Sequence, residues 1–189
     1  AILLRAGVTL HADVYRPDGP GPFPVILERT PYDKSTPGTM IMLDPIKAAK
    51  RGYAMVIQDT RGRYTSEGEF YCFRDDINDG YDTVEWLAQQ PWWNGKDGTT
   101  GTHSAGWTQN ALAGQNPPHL TCMWVNEAAS NGYTSTLRHG GTLELRFLTW
   151  LYWHAAVNTN AKLKSDPAVA RALDGVDTRE LLKSMPIKK

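Results

Sequence analysis

The sequence predicts an α/β fold: a mostly parallel sheet with flanking helices. Short apolar runs at Val25 to Leu27 and Ala54 to Ile57 are bounded by polar or glycine residues, as strands buried on both faces are. Helical patterns separate such runs, and the alternation strand, helix, strand, helix, strand calls for a parallel sheet with helices on both faces. A single early alternating segment suits an antiparallel edge.

In chain order, Val8, Leu10, Ala12 and Val14 alternate with Thr9, His11, Asp13 and Tyr15, the period-2 pattern of a strand with one buried face. The proline- and glycine-rich stretch from Arg16 to Pro24 ends it. After Val25 to Leu27, Pro45 to Arg51 makes a crossover helix leading to Ala54 to Ile57. From Asp76, the apolar positions Ile77, Tyr81, Val84 and Leu87 recur at helical spacing, with Asp75 and Asp76 at the front and Pro91 behind. A strand starting at Lys96-Asp97-Gly98 and ending at Thr102 follows, then a sharp turn, a helix from Trp107 to Ala113, and a strand from Leu120 to Val125. After Asn131 the character changes. Leu143 to Trp153 is apolar on nearly every side, and Asp166-Pro167 and Asp177-x-x-Glu180 mark two helix starts, the second a capping-box pattern. No further strand is predicted, so the tail reads as the incomplete start of a helical cap at 136–189, behind the front part of a catalytic domain at 1–135.

Composition narrows the function. Twenty basic residues balance twenty acidic ones, so nothing in the charge favours a nucleic acid or an anionic membrane as partner. A small ester, amide or short peptide is the expected substrate. Cys72 and Cys122 lie far apart without a CxxC or Cys/His cluster and read as ordinary thiols, so no metal and no cofactor is expected. No apolar run reaches the roughly 20 residues of a membrane span, and no signal pattern opens the chain, which gives a cytoplasmic expectation. The start at Ala1, almost inside a strand, leaves room for a lost leader.

The turn around His103-Ser104-Ala105-Gly106 carries the chemistry. A nucleophile elbow needs a strand, a tight strained turn and a helix, with small residues two before and two after the nucleophile. Centred on Ser104, those positions are Thr102 and Gly106, so Ser104 is the candidate nucleophile. His103 is set aside as its base, because the residue before an elbow nucleophile is expected to point away from the hydroxyl. Asp59 and Arg61 are expected to hold a strand end by hydrogen bonds, and Asp33 to pair with Lys34 or Arg29.

Glu28 to Lys34 (ERTPYDK), Arg51 to Gly62 (RGYAMVIQDTRG), Ser66 to Phe70 (SEGEF), Trp93 to Lys96 ahead of the turn and Gln115 to Leu120 behind it occur in one order. Over roughly residues 5 to 130 the chain resembles the cocaine-esterase and X-Pro dipeptidyl-peptidase (CocE/NonD) family of α/β-hydrolases. The resemblance implies a serine hydrolase working through an acyl-enzyme. It also implies an oxyanion hole made of the Tyr32 hydroxyl and the backbone N–H of Ala105. The sequence departs from the family pattern in having Thr102 two before Ser104, where glycine is usual, and Ala105 after it, where tyrosine is usual. Beyond Ser104, His119, His139 and His154 do not follow an acid-bearing strand in the order the fold requires. The triad acid and base are therefore expected beyond Lys189, with the isolated chain nearly inactive. Esterase, peptidase and acylase are not separated by these residues. The competing class is a truncated or degenerate hydrolase domain serving as an interaction module. An unpaired last strand would further favour a homo-oligomer or aggregation of the isolated chain.

Overall fold

The computed structural model describes residues 1–36, 43–150 and 166–183 and divides into two compact units, Ala1–Ala128 and Ala129–Lys189. The first unit contains β1 (Ile2–Leu3), β2 (Thr9–Leu10), β3 (Ala12–Tyr15), β4 (Phe23–Thr30), α1 (Pro45–Lys50), β5 (Ala54–Asp59), α2 (Asp76–Leu87), β6 (Trp93–Thr102), α3 (Ser104–Ala113) and β7 (Leu120–Asn126). Five strands form its main sheet in the order β3-β5-β4-β6-β7, with β3 antiparallel to β5 and the other neighbours parallel. This is the mostly parallel sheet with an antiparallel edge that the alternation predicts. Each parallel step is made through a helix, as parallel neighbours require.

The early alternating segment is not one strand. Thr9–Leu10 pairs with Ile2–Leu3 in a small separate sheet, while Ala12–Tyr15 joins the main one. His11 is the break: its N–H donates to Ser66 Oγ (2.9 Å) and its carbonyl accepts from the Asp59 N–H (3.1 Å). The expected buried face survives only in part. Leu10 is buried with Ile2 and Leu4, whereas Val14, on the sheet edge, is 42% exposed.

The core lies between the sheet and its helices, where Val25, Leu27, Ala54 and Val56 meet Val84, Leu87 and Leu112. Helix α2 buries Val84 and Leu87 as its apolar spacing predicts, but the first half of the helix turns another face to the sheet. Ile77 is 37% exposed, while Asp76, Asp79, Gly80 and Thr83 are buried with Val84 and Leu87. Gly80 explains the shift, because a Cβ there would stand 2.6 Å from the Leu112 Cβ and 3.0 Å from an Arg29 nitrogen. The glycine lets α2 approach α3 and the sheet closely, and the polar neighbours are satisfied by strand side chains. Arg29 pairs with Asp76 (3.0 Å) and Gln58 (2.8 Å), and Gln58 donates to Thr83 (3.1 Å).

Strand β7 closes the sheet on one side with most of its residues exposed, Trp124 at 69%.

The second unit holds a π-helical turn (Tyr133–Leu137), a hairpin of β8 (Arg138–His139) and β9 (Thr142–Leu143), α4 (Leu145–Trp150), α5 (Pro167–Asp174) and α6 (Thr178–Lys183). The hairpin corrects the expectation of a strandless tail. Asp166 and Asp177 cap α5 and α6 through the backbone N–H groups two and three residues on, as their positions predict. Glu180 bonds Lys183 instead of closing the capping box. Leu151 to Trp153 and His154 lie outside the described residues.

Candidate active site

The chain runs from β4 outward to β5, then crosses to the other side of β4 to form β6. That reversal is a topological switch point, and the crevice outside the carboxyl ends of the strands on either side of it is where open α/β sheets bind ligands. The two elements emerging there are the loop after β4, carrying Tyr32, and the turn after β6, carrying His103 and Ser104.

The turn has its own logic. Strand β6 ends at Thr102 and α3 begins at Ser104, leaving His103 alone to change direction, with φ 55° and ψ −117°. A histidine at positive φ is strained and stays so only where its surroundings fix it. The His103 N–H donates to the Asn126 carbonyl (3.1 Å), and the His103 carbonyl accepts from the Gly106 and Trp107 N–H groups (3.0 Å each). Gly101, at φ 145°, has the Ala105 Cβ 2.6 Å from where its own Cβ would stand. At Gly106 a Cβ would meet the Asn126 carbonyl oxygen at 2.7 Å. The small residues two before and two after the strained position are thus Gly101 and Ala105. The sequence-based spacing around Ser104 has Thr102 and Gly106 in the corresponding places, and the helix starts three residues earlier than Trp107.

Three polar atoms meet at this turn. Tyr32 Oη lies 2.7 Å from Ser104 Oγ and 3.2 Å from His103 Nδ1, and Ser104 Oγ lies 3.1 Å from the same Nδ1. The contact between Ser104 and His103 corrects the expectation that this histidine points away. Ser104 itself is 1% exposed, whereas His103 and Tyr32 are half-buried. Ala105 sits in the first turn of α3, where amide N–H groups have no intrahelical carbonyl to reach.

The loop that carries Tyr32 is held by Arg63, which no sequence pattern singled out, and by Asp59. Arg63 is buried and donates from Nε to the Pro31 carbonyl (2.7 Å), its guanidinium lying over the Phe70 ring at 4.6 Å. Burial pushes its pKa down to about 10. Asp59 accepts from the Lys34 N–H (2.8 Å) and the Thr65 hydroxyl (2.9 Å), and Arg61 grips Asp79 through two bonds of 2.9 and 2.6 Å. Asp59 and Arg61 therefore hold a strand end, as the sequence reading has it. Burial raises the Asp59 pKa against these donors. Asp33 bonds neither Lys34 nor Arg29. Its carboxylate accepts from Ser35 and Thr36, which hold its pKa down, while Arg29 goes to Asp76 and Lys34 Nζ to Asp13 (3.4 Å).

The other histidines make different contacts. His119 precedes β7, beside the start of β6, and pairs with Glu85 at 2.9 Å. His139 contacts the Ser135 carbonyl within its own hairpin unit at 2.7 Å. Among the described residues no group of three or more His, Cys, Asp or Glu side chains could hold a metal ion, and no helix is long and apolar enough to cross a membrane.

A sheet of this topology, with a strained turn between strand and helix at its switch point, defines an α/β-hydrolase. Residues 6–188 match the X-Pro dipeptidyl-peptidase (S15 family) model, and the chain belongs to that family. It is 37% identical over 185 residues to cocaine esterase of Rhodococcus sp. (strain MB1 Bresler), covering 94% of this chain and 31% of that protein. A CocE/NonD family hydrolase from Staphylococcus aureus superposes with a TM-score of 0.67 at 30% identity, over 74% of this chain and 28% of that one. An α-amino acid ester hydrolase superposes with a TM-score of 0.65 at 28% identity, over 81% and 28%. The chain thus spans about a third of the length of these relatives.

Proposed function

We propose that the full-length protein hydrolyses an ester or amide bond of a small substrate by acyl transfer at the β6–α3 turn, as an esterase before a peptidase. The observation that carries this reading is the meeting of Tyr32 Oη with Ser104 Oγ at 2.7 Å at the sheet's switch point. A phenol fixed there can donate to a developing oxyanion, and the Ala105 N–H at the head of α3 can supply the second donor; each such donor is worth roughly 10²–10³ in rate. With Ser104 as nucleophile, Oγ attacks the carbonyl, the two donors hold the oxyanion, a histidine takes and returns the proton, and water releases the acyl group. The preference for an ester follows from the short loops, which resemble those of the esterase branch. The relatives include an esterase and an α-amino acid ester hydrolase.

A non-catalytic interaction module is the disfavoured competitor, because Tyr32 is aimed at the turn by a buried arginine that serves no exposed surface. The deciding experiment offers the full-length protein a panel of p-nitrophenyl esters beside X-Pro p-nitroanilides. Ester turnover lost in Tyr32→Phe supports the reading. A protein that turns over neither series, with a native melting curve, refutes it.

A further inference from the structure

The two halves of the site stand on strands that separate before they reach it. β4 and β6 run side by side from Phe23 and Trp93 to Leu27 and Thr99, and beyond that point no register pair joins them among the described residues. The end of β4 stays paired with β5, from Glu28 with Ile57 to Thr30 with Asp59. The end of β6 stays paired with β7, from Thr100 with Trp124 to Thr102 with Asn126. Tyr32 follows the first end and Ser104 the second. The sheet ladder therefore does not fix the distance between their hydroxyls.

Helix α3 bridges the gap instead. Thr108 is buried, and its Oγ1 donates to the Arg29 carbonyl (3.2 Å), sharing the one proton with the Ala105 carbonyl (3.0 Å). The next residue, Gln109, is buried too. Its Nε2 donates to the Gly101 carbonyl (3.2 Å) and to the Ala105 carbonyl (3.1 Å), while its Oε1 accepts from the Thr99 hydroxyl (2.8 Å). One side chain thus holds the end of β4 and the other the end of β6, with the Ala105 carbonyl common to both. On the β4 side the tie runs on into the loop, where the Thr30 hydroxyl accepts from the Tyr32 N–H (3.1 Å). Burying a hydroxyl and a primary amide is costly unless they are bonded, and an apolar side chain fills this face of α3 at Leu112 without that demand. On the reading that this site performs acyl transfer, we propose that Thr108 and Gln109 are positioning residues, which join β4 to β6 through α3 and set the 2.7 Å contact of Tyr32 Oη with Ser104 Oγ. They act through the backbone carbonyls they hold. Misplacement of a reacting group by about 1 Å can cost about 10² in rate.

The test uses the full-length protein with p-nitrophenyl esters, together with crystal structures of the variants. Thr108→Val keeps the branched shape and removes the hydroxyl; Gln109→Met keeps the length and removes the amide. Each should lower kcat per folded molecule at least about tenfold with KM within about twofold of the wild type, since the contact is disturbed and the substrate pocket is not. Thr108→Ser, which restores the hydroxyl, should recover most of the loss. In the variant crystals Tyr32 Oη should stand out of hydrogen-bond reach of Ser104 Oγ. A purely structural role would lower the melting temperature and leave the kcat of the folded molecules unchanged. The proposal falls if the folded variants keep the wild-type kcat, if KM rises in place of the fall in kcat, if serine at 108 recovers nothing, or if the variant crystals retain the contact. It falls as well if neither Thr108→Val nor Gln109→Met folds, because the pair would then hold the fold and not the contact. A wild type without turnover sinks the acyl-transfer reading alone, and the crystal structures still decide the bridge. Wild-type turnover with the contact intact in both variants does the reverse.

Discussion

Gly101→Ala measures where the elbow is centred. At φ 145° an alanine enters a region that L side chains rarely occupy, a strain of roughly 1–3 kcal/mol. Its Cβ would also stand 2.6 Å from the Ala105 Cβ and 2.9 Å from the Ala105 carbonyl oxygen, and overpacking of this kind costs roughly 1–3 kcal/mol more. The two effects together predict a loss of about 2–6 kcal/mol, against a typical domain stability of roughly 5–15 kcal/mol. The second effect separates from the first, because Gly101→Ala combined with Ala105→Gly relieves the Cβ contact and leaves the backbone strain. Urea unfolding of the full-length protein, followed by tryptophan fluorescence, should show the single variant strongly destabilised and the double variant partly restored. Thr102→Ser is the control: Thr102 has no positive φ, and serine keeps the hydroxyl that accepts from Asn126 (3.0 Å) while losing one methyl group. Were Gly101→Ala within about 0.5 kcal/mol of the wild type, the range of an ordinary surface change, the elbow would not be centred on His103.

Three further outcomes follow from the same geometry. Asp97 is buried near Glu85, with neither carboxylate oxygen hydrogen-bonded among the described residues, and burial followed by the Glu85 charge pushes its pKa up to about 7. Its folded pKa lies above its unfolded one, so the stability it confers is full at low pH and is lost as pH rises from about 4 to 7. The stability difference between wild type and Asp97→Asn, measured by urea titration at pH 5 and pH 8, should therefore shift by a few kcal/mol in favour of the variant at the higher pH; a pH-independent difference contradicts it. Arg63→Met removes the donor to the Pro31 carbonyl and should lower kcat in ester hydrolysis at least about tenfold with little change in KM, since it loosens the oxyanion donor and not the substrate pocket; unchanged kcat contradicts it. In the 189-residue chain, iodoacetamide at pH 8 should modify the exposed Cys122 and spare Cys72, whose thiol burial pushes up to about 12; equal reaction of both refutes the burial assigned to Cys72.

Much of the scaffold was legible in the chain because its signals are local. Apolar runs of strand length, the proline that opens the helix from Pro45 and the aspartates before α5 and α6 act within a few residues of themselves, so reading them needs no partner. The loop of Tyr32 was found only through a resemblance, since a tyrosine after a proline has many ordinary uses. Where long-range packing decides, the local signal misled. Ile77 looked like a core position of α2, but Gly80 and the Arg29–Asp76 pair turned a polar face to the sheet.

The elbow shows the division most sharply. In the string from Gly101 to Gly106, four of six residues are small enough to fit the motif centred on either of two positions, so the sequence by itself determined that a tight strand-to-helix turn lies here and not which residue it offers. The tertiary structure decided where the chain turns, because the pairing of Thr102 with Asn126 across β6 and β7 and the contact of Gly101 with Ala105 fix the last residue of the strand and the first of the helix. A turn this short has one residue left between those two limits, and backbone sterics give that residue, His103, the positive φ.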